Sequence, residues 1–208
     1  MTVAIEGMDS VRRALDRLPG DLQDKAAAMA INKVAAKANT EINRAIRDEF
    51  VIPADEVRNA ISIAKASAKR PGEVSATISI FGSAKKKGRS LNLIHFLAAV
   101  QAAGRAVKVR GSPAKKQQLA ALEKQIGFAI KRGGGLKSIP GAFIGNHGRT
   151  VFIRTGDKRL PIKPLQVIGV SQMFSSKRIS RRVMDRIDRE LPVEMDRAVN
   201  LVLERFGK

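Results

Sequence analysis

Apolar and small side chains return at helical spacing in two long runs, one near each end of the chain. Between Asp21 and Phe50 the stripe is Ala27, Ile31, Val34, Ala38, Ile42, Ala45 and Phe50, in an alanine-rich segment free of glycine and proline. A 3.6-residue period held over that length predicts a single packing helix with one buried face. Between Ser176 and Phe206 the stripe is Ile179, Val183, Ile187, Leu191, Met195, Ala198 and Val202, interrupted by Pro192. Proline has no amide hydrogen and its ring crowds the carbonyl four residues back, so the prediction is a helix kinked or split there.

Elsewhere the period shortens. Ile61 to Lys65 and Val74 to Ile80 alternate apolar with small polar residues around Lys69-Arg70-Pro71-Gly72, the pattern of an antiparallel hairpin. Pro53 followed by Asp55 and Glu56 predicts a short helix reaching Ala60, with proline at the start and acids in the first turn. Val3 to Glu6 reads as a strand, and Asp9 as the cap of a short helix carrying Val11, Leu15 and Leu18 that Pro19-Gly20 ends.

The segment from Ile139 to Phe174 is dense in turn formers. Pro140-Gly141 favours a tight turn ahead of a strand, and Gly145, Gly148 and Gly156 admit hairpin ends, so Phe143-Ile144 is expected to pair with Val151-Phe152-Ile153. Arg154 and Arg159 flank the far turn. Pro161 and Pro164 remove two backbone donors and stiffen the exit, which suits a rigid projecting segment that docks on a neighbouring subunit through Arg154, Arg159, Leu160, Pro161, Ile162, Lys163, Pro164 and Leu165.

Charge adds a second theme. Lys and Arg number 39 against 19 acids, a net +20 with a pI near 11.1, the footprint of a chain that meets polyanions or acidic neighbours. The long N-terminal helix is internally balanced, and the first half of the C-terminal one is expected to pair Asp185, Asp188 and Glu190 with its own basic residues. The excess is concentrated between Lys85 and Lys137, where thirteen Lys and Arg face Glu123 alone. An extended or irregular basic segment over 83–137 is therefore expected, with Lys85, Lys86, Lys87, Arg89, Arg105, Lys108, Arg110, Lys115 and Lys116 as contacts to DNA or to an acidic partner. The scarcity of aromatic residues near that cluster argues against base-specific reading.

Chemistry is sparse by contrast. With no cysteine, disulfides, thiolate metal sites and cysteine nucleophiles are excluded. Two histidines exist. His95 sits in the apolar run 93–97 with no Cys or sequence-near acid to complete a metal set, and reads as packed or hydrogen-bonded; His147 reads as a loop tip. Gly133-Gly134-Gly135 lacks the Gly-Lys-Ser/Thr ending of a phosphate loop and reads as a turn. No catalytic, metal or cofactor residues are assigned, and no enzyme is expected. No apolar run is long enough to span a membrane and the N-terminus lacks a signal pattern, so a soluble chain made in a cytoplasm is expected.

Pro140-Gly141-Ala142-Phe143-Ile144, the strand ending at Arg154, Arg159-Leu160-Pro161-Ile162-Lys163-Pro164-Leu165 and Met173-Phe174 together resemble the minor tail protein Z family, the tail completion proteins of lambda-like long-tailed phages. The order of an alanine-rich helix, a basic middle and a charged C-terminal helix fits as well. Relatives tend to carry an aromatic and then Gly-Pro-Ser where this chain has Gln166 to Ser171. The expected fold is α+β, a single domain over 1–208 with long terminal helices on a small antiparallel sheet. The resemblance implies a structural virion protein at the head-proximal end of the tail, in the neck, supporting head-tail joining after assembly in the host cytoplasm. It implies tail terminator, tail tube or head-tail connector proteins as partners, a homo-oligomeric ring of six copies, non-specific contact with genomic DNA, no cofactor and no membrane. The rival reading is a non-specific nucleic-acid-binding protein of the ribosome or nucleoid, with a nuclease as a further alternative.

Overall fold

In the computed structural model the described residues are 13, 15–16, 18, 20–68, 74–83, 90–96, 127–135, 137–156 and 158–206. The expected strand at Val3 to Glu6, most of the helix after it, the turn at Lys69 to Gly72 and all nine cations named between Lys85 and Lys116 fall outside them. Helices α1 (Gly20–Glu49), α2 (Ala54–Asn59), α3 (Val170–Phe174) and α4 (Lys177–Phe206) combine with strands β1 (Ile61–Ala64), β2 (Thr77–Ile80), β3 (Ser90–Asn92), β4 (Gly127–Phe128), β5 (Lys137–Ser138), β6 (Ala142–Gly145), β7 (Thr150–Arg154), β8 (Ile162–Pro164) and β9 (Gln166–Ile168). All pairings among them are antiparallel: β1 with β2, β3 with β9, β4 with β5, and a three-stranded sheet in the order β6-β7-β8. The class is α+β, with long helices toward both ends and small sheets between, as the periodicity predicts.

The chain forms two compact units, the first comprising Met1–Ala45, Ile61–Ile80 and Phe174–Lys208, the second Ile46–Ala60 and Phe81–Met173. In the first unit α1 and α4 run antiparallel, because Lys33 and Lys37 meet Glu194 and Glu190 while Glu41, further along α1, meets Arg182, further back on α4. Their shared core is Ala26, Ala27, Ala30 and Val34 against Leu191, Met195, Ala198, Val199 and Val202, joined by Leu18. Alanines on α1 let the larger α4 side chains seat close to its backbone; each large aliphatic so buried contributes about 1.5–3 kcal/mol. A different face of α1 is also covered, since Ala28 and Ala35 are buried and Asn32 between them bonds reciprocally with the Ala66 backbone, Nδ2 to the carbonyl at 3.0 Å and the amide to Oδ1 at 2.8 Å. The amide side chain thus stands in for a strand partner just beyond β1.

Pro192 does not split the C-terminal helix. The helix continues from Lys177 to Phe206. Proline removes one hydrogen bond to the Asp188 carbonyl, while Leu191 and Met195 on either side are buried in the core and Glu194 is ion-paired across to α1. Packing on both flanks outweighs one missing ladder bond.

In the second unit β7 is the central strand of its sheet, with Phe143 opposite Phe152 and Ile153 opposite Lys163. Asn92 fastens this sheet to β3: its Oδ1 accepts from the Val151 amide at 2.9 Å and the Ile94 amide at 3.1 Å, and its Nδ2 donates to the Val151 carbonyl at 3.3 Å. The Leu165 amide also donates to the Val151 carbonyl, and its own carbonyl accepts from the Leu93 amide, both at 2.9 Å. Gln166 to Ile168 form β9, paired with β3. The described parts of the basic middle are regular. Residues 90–96 give β3 and a helical turn around buried Phe96, and Gly127 to Ser138 form the β4–β5 hairpin, turned by Gly133 (φ 76°) and Gly135 (φ 68°). That hairpin is tied to the chain leaving α1, with the Val51 amide bonded to the Ile130 carbonyl and the Arg132 amide to Glu49.

Candidate interaction surfaces

The three-stranded sheet has two unlike faces. Strand alternation puts Ala142, Ile144, Val151 and Ile153 on one, and Val151 is fully buried. The other carries Phe143, Phe152 and Arg154, with Ile162 and Pro164 beside them in register. The Phe143 and Phe152 rings stack at 6.0 Å, and the Arg154 guanidinium lies 4.9 Å over Phe143. A side chain at Gly145 would sit 3.1 Å from the Phe152 ring, so a glycine there leaves that ring room to lie across the strand.

The predicted docking segment divides along its length. Arg159 and Leu160 sit in the exposed turn between β7 and β8, and Leu160 at 65% exposure is the most exposed large apolar side chain among the described residues. The turn is closed by Pro161, whose carbonyl accepts from the Thr155 amide at 3.3 Å and the Thr155 hydroxyl at 3.1 Å, and the Leu160-Pro161 peptide is cis. Ile162, Lys163 and Pro164 are β8 itself, and Leu165 is half-buried with both backbone groups bonded. The predicted pairing of Phe143-Ile144 with Val151 to Ile153 is present, and its turn passes through Asn146, His147 and Gly148, all at positive φ, with His147 exposed at the tip.

A dense ionic cluster lies between the two long helices. Glu194 is only 2% exposed; its Oε1 accepts from Lys37 Nζ and Arg197 Nη1, each at 2.6 Å, and its Oε2 lies 3.7 Å from Lys33 Nζ. Glu190 accepts from the same Lys37 at 2.6 Å and from Arg186 at 2.8 Å. The hydrogen bond from Lys37 holds both carboxyls below the ordinary glutamate range, and its bonds to Glu190 and Glu194 raise the Lys37 ammonium. The expected pairing within α4 is realised at Arg186 with Glu190, but Arg182 reaches across to Glu41. Sequence reasoning missed Glu194, although its place three residues after Leu191 and four before Ala198 puts it on the apolar stripe.

His95, expected to be packed or hydrogen-bonded, is half-buried, and an acid is near it in space: Glu56 Oε1 lies 3.1 Å from its Nδ1. Helix α2 brings that acid from 39 positions earlier in the chain. Among the described residues no group of three or more His, Asp and Glu is arranged to hold a metal, and no helix is long and apolar enough to cross a membrane.

No curated protein and no solved structure matches the chain significantly. The sequence model of one family, prophage minor tail protein Z (GPZ), matches residues 5–208. With nearly its whole length inside that match and the α+β architecture that goes with it here, the chain belongs to the prophage minor tail protein Z family and is a phage minor tail protein.

Proposed function

We propose that this chain completes the head-proximal end of the phage tail and supports its joining to the head, as a ring of six copies that docks through the β7–β8 turn. The observation that carries the docking part is Leu160, which stands exposed between Arg159 and Pro161 on a turn anchored to its own sheet. Burying such a side chain against a neighbour recovers about 1.5–3 kcal/mol, and the anchored turn loses little conformational freedom on contact. The role is structural, in keeping with the family, and the neighbours are other tail and connector proteins. The cations from Lys85 to Lys116 supply the electrostatic attraction for the genome end or for acidic partners in the neck.

The test is production of particles with this gene product absent. Heads and tails that accumulate separately support the reading. Joined, infectious particles made without it overturn the reading.

A further inference from the structure

The β6–β8 sheet also carries information about the chemistry of what it meets. Arg149, Arg154, Lys158, Arg159 and Lys163 are all exposed, and no ion pair joins any of them to another described residue. The Arg154 guanidinium is held over the Phe143 ring, which leaves its N–H edge free to meet a carboxylate two-pronged. Leu160 stands beside Lys158 and Arg159 in the turn that follows Arg154, while Arg149 lies at the opposite end of β7 and Lys163 on the opposite face of the sheet from Arg154. Along the outer edge of β8 the outward-facing Pro164 lacks an amide hydrogen, so a partner strand adding there would find a donor missing and side chains are left as the main means of recognition.

Resting on the docking reading above, we infer that the partner of this tip is a protein other than a second copy of the chain, and that it offers an apolar pocket rimmed by carboxylates. An apolar anchor next to Lys158 and Arg159, with Arg154 of the same strand end pre-set on an aromatic ring, matches the composition of protein hot spots. A phosphate backbone would take the cations and leave Leu160 unused. A second copy brings +20 of like charge, and its densest run of acids is already engaged: Glu56 with His95, Asp55 with Arg58, and Asp48 and Glu49 in bonds of their own.

The experiment places a photo-crosslinking residue at position 160 in tails assembled with the full chain, followed by mass spectrometry of the crosslinked peptide. The expected result is a crosslink to a different tail or connector protein within a stretch rich in Asp and Glu. Arg159→Glu is expected to lower incorporation roughly tenfold or more, since like charges at a contact are strongly disfavoured. Lysine placed at the crosslinked acid should restore it. A crosslink to a second copy, to DNA, or to a partner stretch without acids overturns this inference and leaves docking at the tip standing. Normal incorporation of Leu160→Asp, with no crosslink, overturns docking itself. Both positions are exposed, so an unchanged thermal melt of each variant separates these outcomes from misfolding.

Discussion

Glu194 offers a sharp test of how the two long helices are held in register. Glu194→Gln keeps the shape of the side chain and removes its charge. In the native arrangement two charge-assisted hydrogen bonds end on Glu194 Oε1, from Lys37 and Arg197. Such bonds are worth about 1.5–3 kcal/mol each when fully buried. Here the cations are 35% and 62% exposed, so water screens them and rehydrates them once the charge is gone. About 1–2 kcal/mol of destabilisation is left, or roughly 2–8 °C in Tm for a chain of this length.

The reverse deletion is expected to be worse. Lys37→Met strands a carboxylate that is 2% exposed, leaving Arg197 as its hydrogen-bonding cation and Lys33 at 3.7 Å. Removing the glutamate charge strands nothing comparable, because Lys37 keeps Glu190 and its access to solvent. Lys37→Met with Glu194→Met should recover stability relative to Lys37→Met alone, since a well-packed apolar pair replaces a buried ionic one at little cost. Urea unfolding of wild type, Lys37→Met, Glu194→Met and the double variant, followed by circular dichroism, completes a cycle, with Glu194→Gln measured beside it. If Lys37→Met proved milder than Glu194→Gln, the burial argument for this cluster would be wrong.

The same cluster sets an acid limit on stability. Glu190 and Glu194 have depressed pKa values in the folded chain, so their contribution is complete above the unfolded glutamate value near ~4.3 and is lost as pH falls through the folded one. Lys37, being raised, contributes below the unfolded lysine value and is lost only in strong alkali. Melting from pH 7 to pH 3 should show the gap between wild type and Glu194→Gln closing in acid; a gap that stays constant refutes the assignment. Asn92→Ala removes three hydrogen bonds and should destabilise by about 2–3 kcal/mol. Its signature is faster hydrogen exchange at the Val151 and Ile94 amides. Gly148→Ala forces alanine to a φ of 82° and should cost about 1 kcal/mol, whereas Gly156→Ala, in open space without positive φ, should be close to neutral by thermal melting.

What was legible in the sequence was whatever a local period or turn could encode. The stripes of α1 and α4, the β1–β2 hairpin and the Phe143 to Ile153 pairing all follow from spacing within about thirty residues. What stayed hidden depends on partners far apart along the chain. Ser90 pairs with Ile168, Asn32 bonds Ala66, and Lys37 meets Glu194 across the helix pair. A polar residue gives no sign of its partner when the partner is chosen by packing. Pro192 shows the converse, a strong local breaking signal that does not end the helix, with core residues packed on either side of it. The nine cations between Lys85 and Lys116 were legible as charge alone, because charge fixes no backbone geometry.

The segment from Arg159 to Leu165 reads in sequence as one stiff projecting strip, yet its two halves do different work. Leu165 has both backbone groups bonded, to Val151 in β7 and to Leu93 just beyond β3, and Ile162 to Pro164 close the edge of the sheet against β7. Substitutions there act on the fold first, and a loss of docking caused by them carries no information about a partner. Arg159 and Leu160 are exposed on a turn whose closing bonds come from Pro161 and Thr155, so substitutions at those two positions change the surface and leave the frame. The two prolines serve different halves. Pro164, the last residue of β8, takes a donor away from its open edge, while Pro161 closes the turn through its carbonyl with Leu160 exposed beside it. The docking reading is therefore tested at Arg159 and Leu160, where a substitution changes the surface alone, rather than along the whole strip.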